Sequence, residues 1–385
     1  MGVKNSNTGR FMDTSKHCNM IEKGLFVSHR GVSFCCSNSN KTKVDPIFFL
    51  GNYKNKSLQL MQQNQIVNGC ENCFKNEKKK ISSNRIEYKT HDDLQYNGNP
   101  KIMELDLSNF CNLKCIMCGP TRSSQWAKID NTDGISAVSK KIIDQVGELS
   151  YDLEYLDIQG GEPSIMQEYE YYFKILEEKK IIKNITLNVV TNLTNINTKF
   201  YDFLEKFKSV RLSVSIDAYG QANDYIRWPS KFEQINQNLH KICDKNNFKN
   251  IKKINIMNTI NILSMFGYDL FLKWSAEIEK ICHANGKDFE IYNSIVNLPS
   301  FLSPIIAPKK LKDKFFTDIK FFLQANSLCK NTRFRSNITL YAKFIQKNNE
   351  NTQDLQKFLY EIRSLDIERN KNIGDYITNF HDYVF

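Results

Sequence analysis

The sequence predicts an α/β protein: a partial or complete (β/α) barrel from about residue 100 to 300, preceded by a small cysteine-rich module and followed by a helical extension. Three observations carry this. From Met103 onward, short apolar runs of β-formers alternate with longer stretches of helical spacing. Residues 1–100 lack that alternation and hold the first five cysteines. Past Pro299–Pro308 the apolar spacing turns helical.

The expected strands are Ile102–Leu107, Leu153–Ile158, Ile185–Val190, Val210–Ile216 and Ile254–Ile260. Between them Ser139–Glu148, Glu168–Lys179, Lys199–Phe207 and Phe232–Lys245 carry apolar residues at helical intervals. Lys310–Ala325 and Thr352–Leu365 read as amphipathic helices of the extension. The organisation is therefore 1–100, 101–300 and 301–385, with no internal repeat.

Composition limits the function. With 41% hydrophobic and 25% charged residues, the 385-residue chain can build its own core and needs no metal for stability. No apolar run approaches the roughly 20 residues that span a bilayer, and Met1–Arg10 is too polar for a signal peptide. A cytoplasmic protein with no membrane partner is expected. The net charge of +11 is spread along the chain instead of forming a basic stripe, so nucleic acid is not the expected partner.

Eleven cysteines are many for a reducing compartment, and eight of them precede residue 120. Clustered cytosolic cysteines suggest metal ligands, while the solitary Cys243, Cys282 and Cys329 suggest small buried apolar residues. Cys111, Cys115 and Cys118 follow directly on the strand ending at Leu107, at the face where β/α barrels carry their active sites. Soft thiolates select zinc, Cu(I) or iron–sulfur clusters. A structural zinc site would want a fourth ligand at close spacing, and none is present. Three ligands on a cubane leave one iron open.

Further polar groups follow in barrel order. Gln159-Gly160-Gly161-Glu162-Pro163 closes the second expected strand, with glycines that allow close backbone approach to a ligand. Thr191 and Asn192 end the third, as ligand contacts or as a helix cap. Ser213, Ser215 and Asp217 alternate along the fourth and so share a face. Arg227 follows, able to pair with a carboxylate or to make a surface ion pair. Asn258, Thr259 and Asn261 end the next strand.

The Cys111-x3-Cys115-x2-Cys118 run resembles the cluster motif of the radical S-adenosylmethionine (SAM) superfamily, as Gly160–Pro163 resembles its GGEP motif and Ser215-Ile-Asp217-Ala218 its Ser-x-Asp-Gly strand, with alanine in place of glycine. The resemblance implies a partial (β/α)6 barrel and a [4Fe–4S] cluster whose open iron binds SAM. Met117, where the family often has an aromatic residue, would pack beside adenine. The Gly160–Glu162 backbone and the Glu162 carboxylate would bind the SAM ammonium; Ser215 would contact its carboxylate or ribose, with Asp217 nearby, and Arg227 its carboxylate.

Before the barrel, the order Cys18, Gly31, Cys35-Cys36, Gly51-Asn52, Cys70-x2-Cys73, Glu77 and Arg85 resembles the auxiliary-cluster module called twitch, related to SPASM. It implies a second [4Fe–4S] cluster on Cys18, Cys70, Cys73 and one of Cys35 and Cys36, the choice between the two being open; zinc is the alternative metal. Leu365-Asp366-x-x-Arg369 resembles a C-terminal stretch of the same proteins. Together these imply reductive SAM cleavage, a deoxyadenosyl radical, a reductant such as flavodoxin or ferredoxin, and a substrate that is a peptide side chain, a sugar or a small metabolite. The rival readings are a non-catalytic zinc-binding module and a radical SAM enzyme that acts on RNA.

Overall fold

Residues with branched and aromatic side chains build eight strands: β1 (Gly24–Ser28), β2 (Gly31–Ser33), β3 (Ile102–Asp106), β4 (Tyr155–Gln159), β5 (Thr186–Thr191), β6 (Ser209–Ser215), β7 (Ile251–Ile260) and β8 (Asp288–Ile295). The computed structural model describes residues 16–78, 83–129, 134–328, 333–348 and 351–384, so Met1–Arg10 and Cys329 lie outside the described residues. The strands form one mostly parallel sheet in the order β2-β1-β3-β4-β5-β6-β7-β8. The β1–β2 hairpin is antiparallel, with Phe26 facing Ser33.

The chain divides into two compact units. One comprises the residues up to Asn109 with Ser136–Gly160 and Met166–Asn188; the other comprises Phe110–Ile135, Gly161–Ile165 and the chain from Val189 onward. In the first unit β3 is buried along its whole length, since β1 and β4 pair with its two edges in parallel. The helix Gln167–Glu178 buries Tyr169, Tyr172 and Phe173 at helical spacing. A buried tyrosine needs a partner for its hydroxyl, and Tyr172 finds one in Ser150 Oγ at 2.7 Å.

In the second unit β7 shows the alternation its neighbours impose. Ile254, Ile256 and Ile260 are fully buried, whereas Met257 and Thr259 on the opposite face are only half-buried. The helices Phe232–Cys243, Tyr268–Ala284 and Lys309–Ala325 supply Ile235, Leu239, Phe271 and Phe315 to the core. Cys243 and Cys282 are fully buried there, as expected of apolar residues, with their sulfurs 3.2 Å apart.

The five expected strands and six of the expected helices are present within a few residues of their predicted ends. Three features were not anticipated. β1 and β2 come from the segment read as loop-rich, and β1 runs in register with β3, Gly24 against Ile102. Their five and three residues are too short to show a period. β8 alternates Phe289 and Ile291 with polar residues, a pattern that its charges obscure. The helices Tyr268–Ala284 and Arg333–Lys347 were also missed. No helix among the described residues is long and apolar enough to cross a membrane.

Truncating Ile256 tests the core assignment, because the side chain is 0% exposed on a strand paired on both sides. Ile256→Ala is expected to lower stability by about 2–5 kcal/mol, read as a fall in urea midpoint with little change in slope.

Candidate functional site

The loop after β3 carries Cys111, Cys115 and Cys118, all within the second unit. Cys111 and Cys115 are buried with Leu113, and Met117 and Cys118 pack against them. The loop is held by its own backbone and by nearby side chains. Cys118 N–H donates to the Cys115 carbonyl at 3.0 Å, closing a turn. Trp126 Nε1 donates to the same carbonyl at 2.9 Å, and Ser123 Oγ donates to the Leu113 carbonyl at 2.6 Å. Ser124 Oγ accepts from Cys111 N–H at 3.2 Å. A second segment lies alongside: Lys114 N–H meets the Trp228 carbonyl at 2.6 Å and Ile116 N–H the Ile226 carbonyl at 2.9 Å.

That pairing places Arg227 beside the thiols. Its Nη1 is 4.0 Å from Cys115 Sγ, and its Nε is 2.7 Å from Asp217 Oδ2. The Arg227–Asp217 contact is a close ion pair shielded from solvent. Burial opposes the Arg227 cation, but Asp217 and then Cys115 more than restore it. Burial also raises the Asp217 pKa, against the pull of Arg227. Of the thiols, burial and then Cys115 push Cys111 up to about 12, with Arg227 opposing. The hydrogen bond between Cys115 and Cys118 holds Cys118 below the ordinary thiol value and Cys115 above it. The site is therefore a set of three soft donors beside a largely enclosed cation, a combination that suits thiolates.

Glu162 is 1% exposed and heavily engaged. Its Oε1 accepts from Ser164 N–H, Ser164 Oγ and Thr191 Oγ1 at 3.1, 2.6 and 2.7 Å. Its Oε2 accepts from Asn192 N–H at 2.6 Å. Thr191 Oγ1 and the Asn192 amide thus hold the Glu162 carboxylate. Asn192 Nδ2 also reaches Asn112 Oδ1 at 2.8 Å, which ties the cysteine loop to the end of β5. Burial raises the Glu162 pKa, the Asn192 amide and Ser164 opposing. Pro163 and Ser164 open a buried 3-10 turn, and Glu162 N–H donates to the Phe110 carbonyl at 2.8 Å.

Gly160, in the first unit, has φ +135°, and a Cβ there would lie 2.8 Å from the Ser108 carbonyl oxygen and 3.1 Å from Asp106 Oδ1. Only glycine fits that turn without strain. Gly161 follows at the start of the Gly161–Ile165 segment of the second unit.

Ser213 sits deep on β6, accepting from Asn255 Nδ2 at 3.1 Å, while Ser215 is half-buried at the strand's end. Asp217 lies past that end and accepts Thr259 N–H at 2.8 Å on Oδ1. Asn258 donates to the Asp217 carbonyl at 3.0 Å, and Asn261 caps the Leu263 turn. These two side chains are consumed by the protein.

The N-terminal cysteines gather within the first unit. Cys18, Cys35, Cys70 and Cys73 line one cavity with Met20, Phe34 and Arg85. Cys36 does not line it; its sulfur meets Asn84 Nδ2 at 3.5 Å, and its N–H donates to Glu104 Oε2 at 2.5 Å. The sequence left Cys35 and Cys36 open; Cys35 lines the cavity and Cys36 does not. Burial pushes Cys18 up to about 11 and Cys70 up to about 12, as it would any thiol without a metal. Among the described residues, no three His, Cys, Asp or Glu side chains converge as a single-ion site.

Local geometry explains the residues around the cavity. Gly69 has φ +84°, and a Cβ there would come within 2.5 Å of Asn38 Oδ1, so the turn into Cys70 needs glycine. Arg85 forks onto Glu77, Nε to Oε1 at 3.0 Å and Nη2 to Oε2 at 2.5 Å, and donates to the His17 carbonyl at 2.9 Å. That pair fixes the segment before Cys18.

Sequence reasoning missed a carboxyl pair behind this cavity. Glu104 and Asp157 face each other on β3 and β4, and Tyr88 OH donates to Glu104 Oε1 at 2.5 Å and lies 3.3 Å from Asp157 Oδ2. Acidic residues inside strands are the signal that could have found them, since burying a carboxylate is costly.

Residues 105–268 match the family model described as the Radical SAM superfamily. No curated protein matches. Among solved structures the chain is similar to native anSMEcpe with bound AdoMet and Cp18Cys peptide, at 16% identity and TM-score 0.38, covering 58% of this chain and 59% of that one. It is also similar to Streptococcus suis SuiB bound to S-adenosylmethionine, at 16% identity and TM-score 0.40, covering 79% and 70%. SuiB bound to the precursor peptide SuiA gives 15% identity and TM-score 0.38, covering 91% and 70%. The chain spans less than two thirds of the anSMEcpe length.

Burial, and next the neighbouring Asp157, raise the Glu104 pKa from 4.5 to about 7. The folded metal-free protein then binds more protons than the unfolded chain across that window. Its stability is expected to fall as pH rises from 4.5 to about 7. Glu104→Gln should flatten this slope in urea midpoints measured against pH, and an unchanged slope would contradict the assignment.

Proposed function

We propose that the chain is a radical SAM enzyme. The three thiols of the Cys111–Cys118 loop, set beside the Arg227 cation within the matched domain, carry this reading. The donor set fits a [4Fe–4S] cluster bound by Cys111, Cys115 and Cys118, because soft sulfur donors are gathered there and a cation offsets their charge. When bound, the cluster supplies an electron to SAM, whose cleavage gives methionine and the 5′-deoxyadenosyl radical that takes a hydrogen atom from substrate.

The chain's own residues bind, orient and protect. Arg227, whose Nε faces Asp217, would offer its remaining guanidinium N–H groups to the SAM carboxylate. Glu162 has four protein donors on its two oxygens, which leaves Oε2 an acceptor position for the ammonium. Met117, packed on the cysteines, would cover the adenine. Ser215 and Asp217 at the end of β6 would line the ribose side.

The first unit would hold a second [4Fe–4S] cluster on Cys18, Cys35, Cys70 and Cys73, the four cysteines of one cavity. It would accept an electron from the substrate or bind the substrate directly. The electron donor would be a flavodoxin or ferredoxin, the compartment the cytoplasm, and the substrate a peptide side chain, sugar or small metabolite.

Iron and acid-labile sulfide after anaerobic reconstitution test both sites. About eight irons per chain are expected in the wild type and about four in Cys111→Ala/Cys115→Ala/Cys118→Ala. Cys35→Ala should also fall to about four while Cys36→Ala stays near eight. Zinc in place of iron would overturn the reading, and iron lost from Cys36→Ala but kept by Cys35→Ala would reverse the ligand assignment.

A further inference from the structure

We propose that Arg369, in the last turn of the C-terminal helix Thr352–Arg369, is a positioning residue for the cysteine loop. The helix has defined ends: Asn351 Oδ1 accepts Asp354 N–H at 3.1 Å, and Asn370 takes the left-handed conformation, φ 49°. Its last turn therefore has a fixed place. The Arg369 guanidinium is 7% exposed, and among the described residues no carboxylate lies within ion-pair distance of it. A buried cation with that surrounding must be held by carbonyls and rings.

Those partners belong to two segments. Nη1 donates to the Tyr225 carbonyl at 2.8 Å, and Nη2 reaches the Lys114 carbonyl at 3.4 Å. The guanidinium carbon lies 5.1 Å from the Tyr225 ring centre and 5.3 Å from that of Trp228. The neighbouring residues of the helix reach the same two segments: Tyr225 OH donates to Asp366 Oδ1 at 2.8 Å, and Lys114 pairs with Glu368. One segment is the cysteine loop and the other carries Arg227. Arg369 thus bridges the two strips of backbone whose pairing sets the 4.0 Å approach of Arg227 to Cys115.

This inference rests on the cluster reading above, and it adds a residue 142 positions from Arg227 that acts through it (369 − 227). The fork is what matters, because a lysine keeps the charge but cannot span both carbonyls.

The test uses the reconstituted holoprotein. The reduction midpoint of the SAM-responsive cluster and SAM binding are measured by electron paramagnetic resonance in wild type, Arg369→Lys, Arg227→Gln and the double variant. Arg369→Lys is expected to keep wild-type iron, move the midpoint to more negative potential as the Arg227 cation recedes, and weaken SAM binding about fivefold, the worth of one hydrogen bond. In the Arg227→Gln background the Arg369→Lys shift should vanish. A wild-type midpoint and SAM affinity in Arg369→Lys, or shifts that add fully in the double variant, would overturn the proposal. If Arg369→Lys does not fold, Tyr225→Phe takes its place, with a smaller shift in the same direction expected and no shift overturning it. Wild type without any SAM-responsive iron overturns this proposal and the functional reading together, whereas a responsive wild type with unaffected variants overturns the positioning role alone.

Discussion

A largely enclosed guanidinium beside the two buried sulfurs of Cys111 and Cys115 and the half-buried sulfur of Cys118 is the arrangement on which the rest of this chain depends. Thiols in a dry pocket resist ionisation, as the upward shift of Cys111 to about 12 displays. Metal binding needs thiolates. Arg227 Nη1 lies 4.0 Å from Cys115 Sγ, and Asp217, 2.7 Å from its Nε, offsets the cost of enclosing that cation. Asp217 is in turn held by the Thr259 amide. The second unit can be read as a chain of supports that ends on these sulfurs: β6 and β7 present Asp217, Asp217 holds Arg227, and the Ile226–Trp228 backbone pairs with the cysteine loop.

The first unit solves a related problem differently. Its four cavity-lining cysteines come from three places separated by up to 55 positions (73 − 18), and turns and caps bring them together. Gly69 makes the turn into Cys70, the Glu77–Arg85 fork secures the backbone before Cys18, and Glu104 takes the amide of Cys36. The elements there are short.

Much of this was legible in the sequence wherever the chemistry is local. The spacing of Cys111, Cys115 and Cys118 falls within a single loop, so it could be read directly. The strands from β3 to β7 were legible because buried parallel strands are nearly continuous apolar runs. Features that depend on distant partners were not. Cys35 and Cys36 are indistinguishable until the backbone fixes which one faces the cavity. Thr191 and Asn192 were recognisable as strand-end polar groups, but their service to Glu162 across roughly 30 positions was not. Glu104 and Asp157 were hidden inside strands that their hydrophobic neighbours define. Arg369 was visible as part of a resemblance, and its role emerges only where it meets Tyr225 and Lys114.

The most direct measurement of the central claim is 5′-deoxyadenosine formed from SAM by the anaerobically reduced protein, compared between wild type and Cys115→Ala. The account predicts deoxyadenosine and methionine in equal amounts from the wild type and none above background from the variant. A fully iron-loaded wild type that leaves SAM intact, or equal turnover by Cys115→Ala, would contradict it.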